Sequence, residues 1–229
     1  MLALYFASFI ASHYAYGSLT RSWPAKVRHH IWDLVVNLGL IGNIARIVYN
    51  NPSVLDLTDP KHIVQGFIVR YPELDHHLTI EMAWYASGIY NMCVFKDAGY
   101  THSLVVHHMT SILLMIIAQY CNLTVYGFSL LALLTLSNPI MHVAKTLHTL
   151  NKHSAKTAFT LFATVFFLTR VTLFPLWYLR STVVLAFPYY KDRYINVYLL
   201  CNGLLSALFL LQLFWFKKIL HLFKNKARI

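Results

Sequence analysis

The chain has 229 residues, of which 58% are hydrophobic and only 12% charged, with a mean hydropathy of +0.53. A soluble domain carries roughly a quarter charged residues, so this composition excludes an ordinary soluble protein. The net charge of +11 does not point to nucleic acid, because the basic residues sit in short clusters between long apolar runs, as in a multipass membrane protein.

Seven stretches are long enough to cross a bilayer about 30 Å thick, which takes roughly 20 helical residues. The first, about 2–18, is apolar but has no basic leader, so it reads as a short first span rather than a cleavable signal. The second, about 29–49, carries Gly39, Asn43 and Arg46 at helical spacing, with Asp33 near its start. Residues 50–76 are rich in Asp, Pro and His and include an apolar patch, Ile63 to Val69, expected at the membrane interface. In the third, about 77–96, Glu81, Tyr85 and Gly88 share a face, with Trp84, Ser87 and Asn91 beside them.

The fourth, about 101–120, follows Lys96, Asp97 and His102 and holds the adjacent pair His107 and His108 about two turns in. The fifth, about 124–147, repeats Thr135, Asn138, His142 and Lys145 at spacings of 3, 4 and 3, a single helical stripe. The sixth, about 156–179, carries Arg170 and then Pro175, which predicts a kink. The seventh covers about 195–217.

Charge orients the spans. With the N-terminus outside, the cytosolic segments hold Arg21, Lys26, Arg28, Lys96, Lys145, Lys152, Lys156 and the Lys-rich C-terminus. The opposite side keeps only Lys61, Arg70, Arg180, Lys191 and Arg193, which agrees with the positive-inside rule. The sequon Asn122-Leu123-Thr124 then lies on the non-cytosolic side, close against the membrane. Cys93, Cys121 and Cys201 lie in or beside apolar segments and give no disulfide framework.

Ionisable groups at membrane depth face a partner or a wet cavity rather than lipid, so several helices are expected to turn polar faces inward. Asn43, Ser87 and Asn91 are read as hydrogen-bonding glue between helices. Arg46 and Arg170 are read as ion-pair partners of Glu81 or Asp33, and Lys145 as reaching the cytosolic surface. For His107 and His108 the expectation is a functional role, with one imidazole central and the other supporting it, because successive helical positions point about 100° apart. A di-iron or other metal centre is not expected. His29-His30 and His76-His77 fall on opposite sides and cannot converge with His102, His107 and His108, and no cysteine or carboxylate ligands recur at metal spacing.

Three stretches together resemble the TLC domain shared by ceramide synthases, TRAM proteins and other lipid-handling membrane proteins: 81–114, 142–152 and 163–184. The particulars nearest ceramide synthases are Tyr85-Ala86-Ser87, Lys96-Asp97 ahead of Val106-His107-His108, Ala144-Lys145, and Thr169-Arg170 before Phe174-Pro175-Leu176-Trp177. The resemblance implies an all-α polytopic membrane protein of about seven helices, six of them forming a barrel around a central cavity. Residues 27–229 would be the TLC domain and 1–26 an added N-terminal membrane helix and cytosolic loop. It implies His107 and His108 as catalytic and a substrate cavity built with Glu81, Tyr85, Thr135, Asn138, His142 and Arg170. It further implies residence in the endoplasmic reticulum, membrane lipids as partners, and no bound cofactor. Acyl-CoA and a long-chain base would be the substrates of an N-acyltransferase making (dihydro)ceramide; homo- or hetero-oligomerisation stays open. Ceramide synthases carry two aspartates where this chain has Thr135 and Asn138. The alternative is therefore a non-catalytic TLC protein that binds, senses or moves lipids, unless Glu81 or Asp97 supplies the carboxylate.

Overall fold

The computed structural model describes residues 1–55, 71–94, 101–190 and 195–226. Among the described residues every regular element is helical, and the chain is an all-α polytopic membrane protein. The helices are α1 (Leu2–Leu19), α2 (Ala25–Asn50), α3 (Pro72–Val94), α4 (His102–Tyr120), α5 (Thr124–Thr135), α6 (Asn138–Thr149), α7 (Ala155–Leu185), the short α8 (Phe187–Tyr190) and α9 (Ile195–Lys226). The expected interfacial patch Ile63–Val69, together with Lys96 and Asp97, lies outside the described residues.

Among the described residues, five segments are long and apolar enough to cross a membrane: α2, α4, the α5–α6 pair, α7 and α9. The other two expected spans do form helices, of 18 and 23 residues. α3 opens with Glu73 and Asp75 in its first turn. α1 packs along it through Tyr5 on His76, Phe6 on Tyr90 and Phe9 on Trp84, outside the main bundle.

Neighbouring contacts run α2–α6–α7–α9–α4–α3 and back to α2, which closes a ring. α5 stands inside it, touching α2, α3, α4 and α7, and every α5 residue except Gly127 is buried. This one segment therefore has no polar-in, lipid-out pattern: its near-uniform hydrophobicity fits a helix surrounded by protein. Gly127 lets α5 come close to α4, since a Cβ there would sit 3.1 Å from the Ala118 Cβ. Asn122, at φ 60°, takes the left-handed turn that joins the two. Outward-facing Leu113, Ile116, Leu176, Val184, Leu199 and Leu210 remain exposed, as a lipid-facing surface requires.

Two backbone departures position the interior. The fifth span is broken at Leu136–Ser137, between α5 and α6, with Pro139 in the first turn after the break. The expected stripe therefore does not run straight through: buried Thr135 ends α5, while Asn138, His142 and Lys145 belong to α6. Around Pro175, where the sequence predicts a kink, α7 widens to i→i+5 turns over Phe167–Leu179 and again over Ser181–Leu185, with Pro175 inside the first stretch. Wide turns of this kind commonly mark functional sites.

Candidate functional site

A cavity of about 890 Å³, its opening included, lies between α5 and the wall formed by α3, α4, α7 and α9. Tyr85, His107 and Arg170 line one part of it, and Thr182, Ala186, Val197 and Asn202 another. Along α4 the lining runs from His107 to Ala118, about 16 Å at 1.5 Å per residue. Between those limits the surface is mainly Leu114, Met115, Leu130, Leu131, Leu205 and Leu208. The shape is that of an apolar slot with an imidazole and a guanidinium on its wall.

His107 is 7% exposed and is held on three sides by rings. Trp215 of α9 meets it edge-on at 5.1 Å, Tyr85 of α3 at 5.9 Å, and His108 lies 5.8 Å away. Its Nδ1 has no hydrogen-bond partner. His108 is half-buried and does not line the cavity. It packs against Tyr85, with centroids 4.8 Å apart, and over Gly88. The pair thus divides as helical geometry requires, one ring into the cavity and one behind it.

A Cβ on Gly88 would stand 2.9 Å from His108 Cε1. Gly88→Ala is expected to push the His108 ring off Tyr85 and to cost about 1–3 kcal/mol, the usual range for overpacking. A thermal unfolding midpoint in detergent equal to the parent's would contradict that.

Arg170 is the other organiser. It is 6% exposed, yet among the described residues no carboxylate pairs with it. Its Nε donates to Ser137 Oγ at 2.9 Å and its Nη1 to Gln212 Oε1 at 3.1 Å. Its Nη2 donates to the Leu134 carbonyl at 2.5 Å and to Asn138 Oδ1 at 2.7 Å. The Phe166 ring lies 5.2 Å from the guanidinium carbon, a cation–π contact. The expected ion pair with Glu81 or Asp33 is therefore replaced by neutral acceptors. The break after α5 makes this feasible by turning the Leu134 carbonyl toward the arginine. Asn138 also donates from Nδ2 to Asn37 Oδ1 of α2 at 3.1 Å, which extends the network across the bundle.

The remaining expected residues disperse. Glu81, 1% exposed, faces His77 Nε2 at 3.6 Å, while Asn43 meets His77 Nδ1 at 2.8 Å. Asn43 thus joins α2 to α3 as expected, and Arg46 reaches Asn43 and Glu73 rather than Glu81 or Asp33. Ser87 bonds within its own helix, to the Trp84 carbonyl. Thr135 is buried without lining the cavity. His142 lies with Asp33 in a separate cluster. Of the eight candidates, Tyr85, His107 and Arg170 line the cavity; His108 and Asn138 buttress them.

Gln212 and Trp215 were not anticipated. Both lie in an apolar run of the last span, where a lone amide and an aromatic one turn apart give no signal that separates interior from lipid-facing positions. Ser111, four residues after His107 and on the same cavity wall, was legible from the helical period.

The TLC domain profile matches residues 26–221. The tomato (Solanum lycopersicum) Alternaria stem canker resistance protein 1 is 31% identical over 158 residues, covering 62% of this chain and 50% of that protein. Ceramide synthase LOH2 of Arabidopsis thaliana is 21% identical over 225 residues, covering 92% of this chain and 74% of its own length. Ceramide synthase 5 of Homo sapiens is 29% identical over 145 residues, covering 62% of this chain and 36% of its own. The chain thus spans about half the length, or less, of several relatives it matches. With a matched profile that covers nearly the whole helical ring, this multipass membrane protein belongs to the TLC domain family.

Proposed function

We propose that the protein is an acyl-CoA-dependent lipid N-acyltransferase of ceramide synthase type, acting on a long-chain base in the endoplasmic reticulum. The observation that carries this reading is His107: a nearly buried imidazole on the wall of an apolar slot. The fatty chain of the thioester occupies the slot with its carbonyl beside the ring. The amine nitrogen attacks that carbonyl, His107 takes the proton the amine loses, and the C–S bond breaks to release CoA thiol and an amide. Imidazole suits the task, since its neutral form carries a ring nitrogen lone pair that can take the proton. The Arg170 charge beside the slot favours the negative charge that develops on the carbonyl oxygen.

A second reading, lipid binding or sensing without catalysis, is favoured by one observation. Among the described residues no carboxylate is paired with His107 or His108, and Glu81 is engaged by His77. One assay separates the two. Purified protein given a panel of acyl-CoAs and sphinganine is expected to yield an amide with release of CoA, read by mass spectrometry. Folded, lipid-loaded protein that makes no amide across the panel would decide for the second reading.

A further inference from the structure

Away from the cavity, where the first turns of α2 meet α6, a group of nitrogen and oxygen ligands converges that the acyl-transfer reading does not use. His29, His30 and Asp33 each offer a ligand atom, and these atoms all lie within 4.8 Å of one another. From α6, His142 brings its Nδ1 to 3.6 Å from Asp33 Oδ2, the same oxygen that His29 Nε2 approaches at 3.3 Å. The His30 and His142 rings are 6.1 Å apart.

These separations are informative. A charge-assisted N–H···O bond closes to about 2.7–2.9 Å, shorter than either contact. Ligands at about 2.0–2.1 Å from a tetrahedral zinc stand roughly 3.4 Å from each other. The Nδ1 atoms of His29, His30 and His142 are buried and make no hydrogen bond. Three imidazoles and one carboxylate form a donor set suited to Zn²⁺ or a similar first-row cation.

We propose that His29, His30, Asp33 and His142 form a divalent transition-metal site, with zinc the best match, that ties the start of α2 to α6. From the sequence no metal is expected, because the histidine pairs cannot converge on one centre and no cysteine or carboxylate ligands recur at metal spacing. His29 and His30 instead meet a carboxylate one turn along their own helix and a histidine from the broken fifth span. The geometry is local, and it needs no contribution from His107 or His108. Lys145, exposed and one turn beyond His142, is the competing partner for Asp33. Bound metal would displace that interaction and join two helices by coordination, which adds directly to stability.

The test uses the full chain, purified in detergent, stripped with chelator and titrated with Zn²⁺ alone in a calorimeter, with zinc content read by mass spectrometry after gel filtration. The expected result is saturation at a single zinc per chain. Affinity is expected to fall by about tenfold or more in Asp33→Asn and in His30→Gln, and to persist in Lys145→Gln. Absence of saturable binding overturns the proposal, as does affinity equal to the parent's in both ligand variants. If those variants do not fold, the parent chain still decides: a melting temperature raised by Zn²⁺ and restored by EDTA supports the site, and an unmoved one overturns it.

Discussion

Replacing His107 by alanine is expected to lower acyl transfer by about 10²–10⁴-fold, the usual contribution of a positioned general base. The loss should fall on kcat, because the apolar slot that receives the chain is lined mainly by Leu114, Met115, Leu130, Leu131, Leu205 and Leu208 and survives the change. The hole left by the imidazole lies between Tyr85 and Trp215, both large enough to keep the wall in place. His108→Ala should act differently. That ring touches Tyr85 and the Gly88 surface rather than the cavity, so its removal loosens the Tyr85–His107 contact and leaves measurable turnover. Steady-state kinetics of both variants, with bound lipid quantified in each, check the division. Equal turnover in His107→Ala and the parent would remove His107 from the mechanism.

Arg170→Met is expected to be the most destabilising single change in the helical ring, by about 3–5 kcal/mol. Hydrogen bonds to a charged group contribute about 1.5–3 kcal/mol each, and interhelical bonds within membranes average less, nearer 1 kcal/mol. Four such bonds leave together, and they join α7 to α5, α6 and α9 as well as to the Ser137 turn. Methionine fills the volume but leaves the Leu134 carbonyl and the Gln212 and Asn138 oxygens without their donor. Lysine should not rescue, because a single ammonium cannot reproduce the planar fork that reaches acceptors on both sides. Reversible unfolding in mixed micelles measures the effect. A loss below about 1 kcal/mol would mean that neighbouring groups repair the network.

Class and helix order were readable because hydropathy and charge asymmetry report directly on a bilayer. The position of α5 was not. Its residues are as apolar as those facing lipid, and nothing in Thr124–Thr135 distinguishes a helix wrapped in protein from one wrapped in acyl chains. The break at Leu136–Ser137 was hidden for a related reason: the 3, 4, 3 spacing across it mimics a continuous stripe. His107, Tyr85 and Arg170 were legible because polar groups inside apolar runs are costly. Their partners were misassigned where charge was assumed to seek charge. Arg170 takes neutral oxygens, a choice that depends on a carbonyl freed by a helix break, and Glu81 takes a histidine from its own helix.

The wide turns of α7 have a further consequence. Arg170, Phe174, Tyr178 and Thr182 recur every four residues and are all buried. In ordinary α-helical winding such a row would drift by about 40° at each step. With i→i+5 closure the drift shrinks, and Arg170 and Thr182, three steps apart, both stay on the cavity wall. Pro175 has no N–H with which to close a tighter turn in the middle of the row. Were α7 to rewind to α-helical pitch, the fan would carry Tyr178 out of the core and Thr182 off the wall in a single screw motion. The degree of freedom that could remake this cavity is thus torsional, stored in how many residues one helix spends per turn.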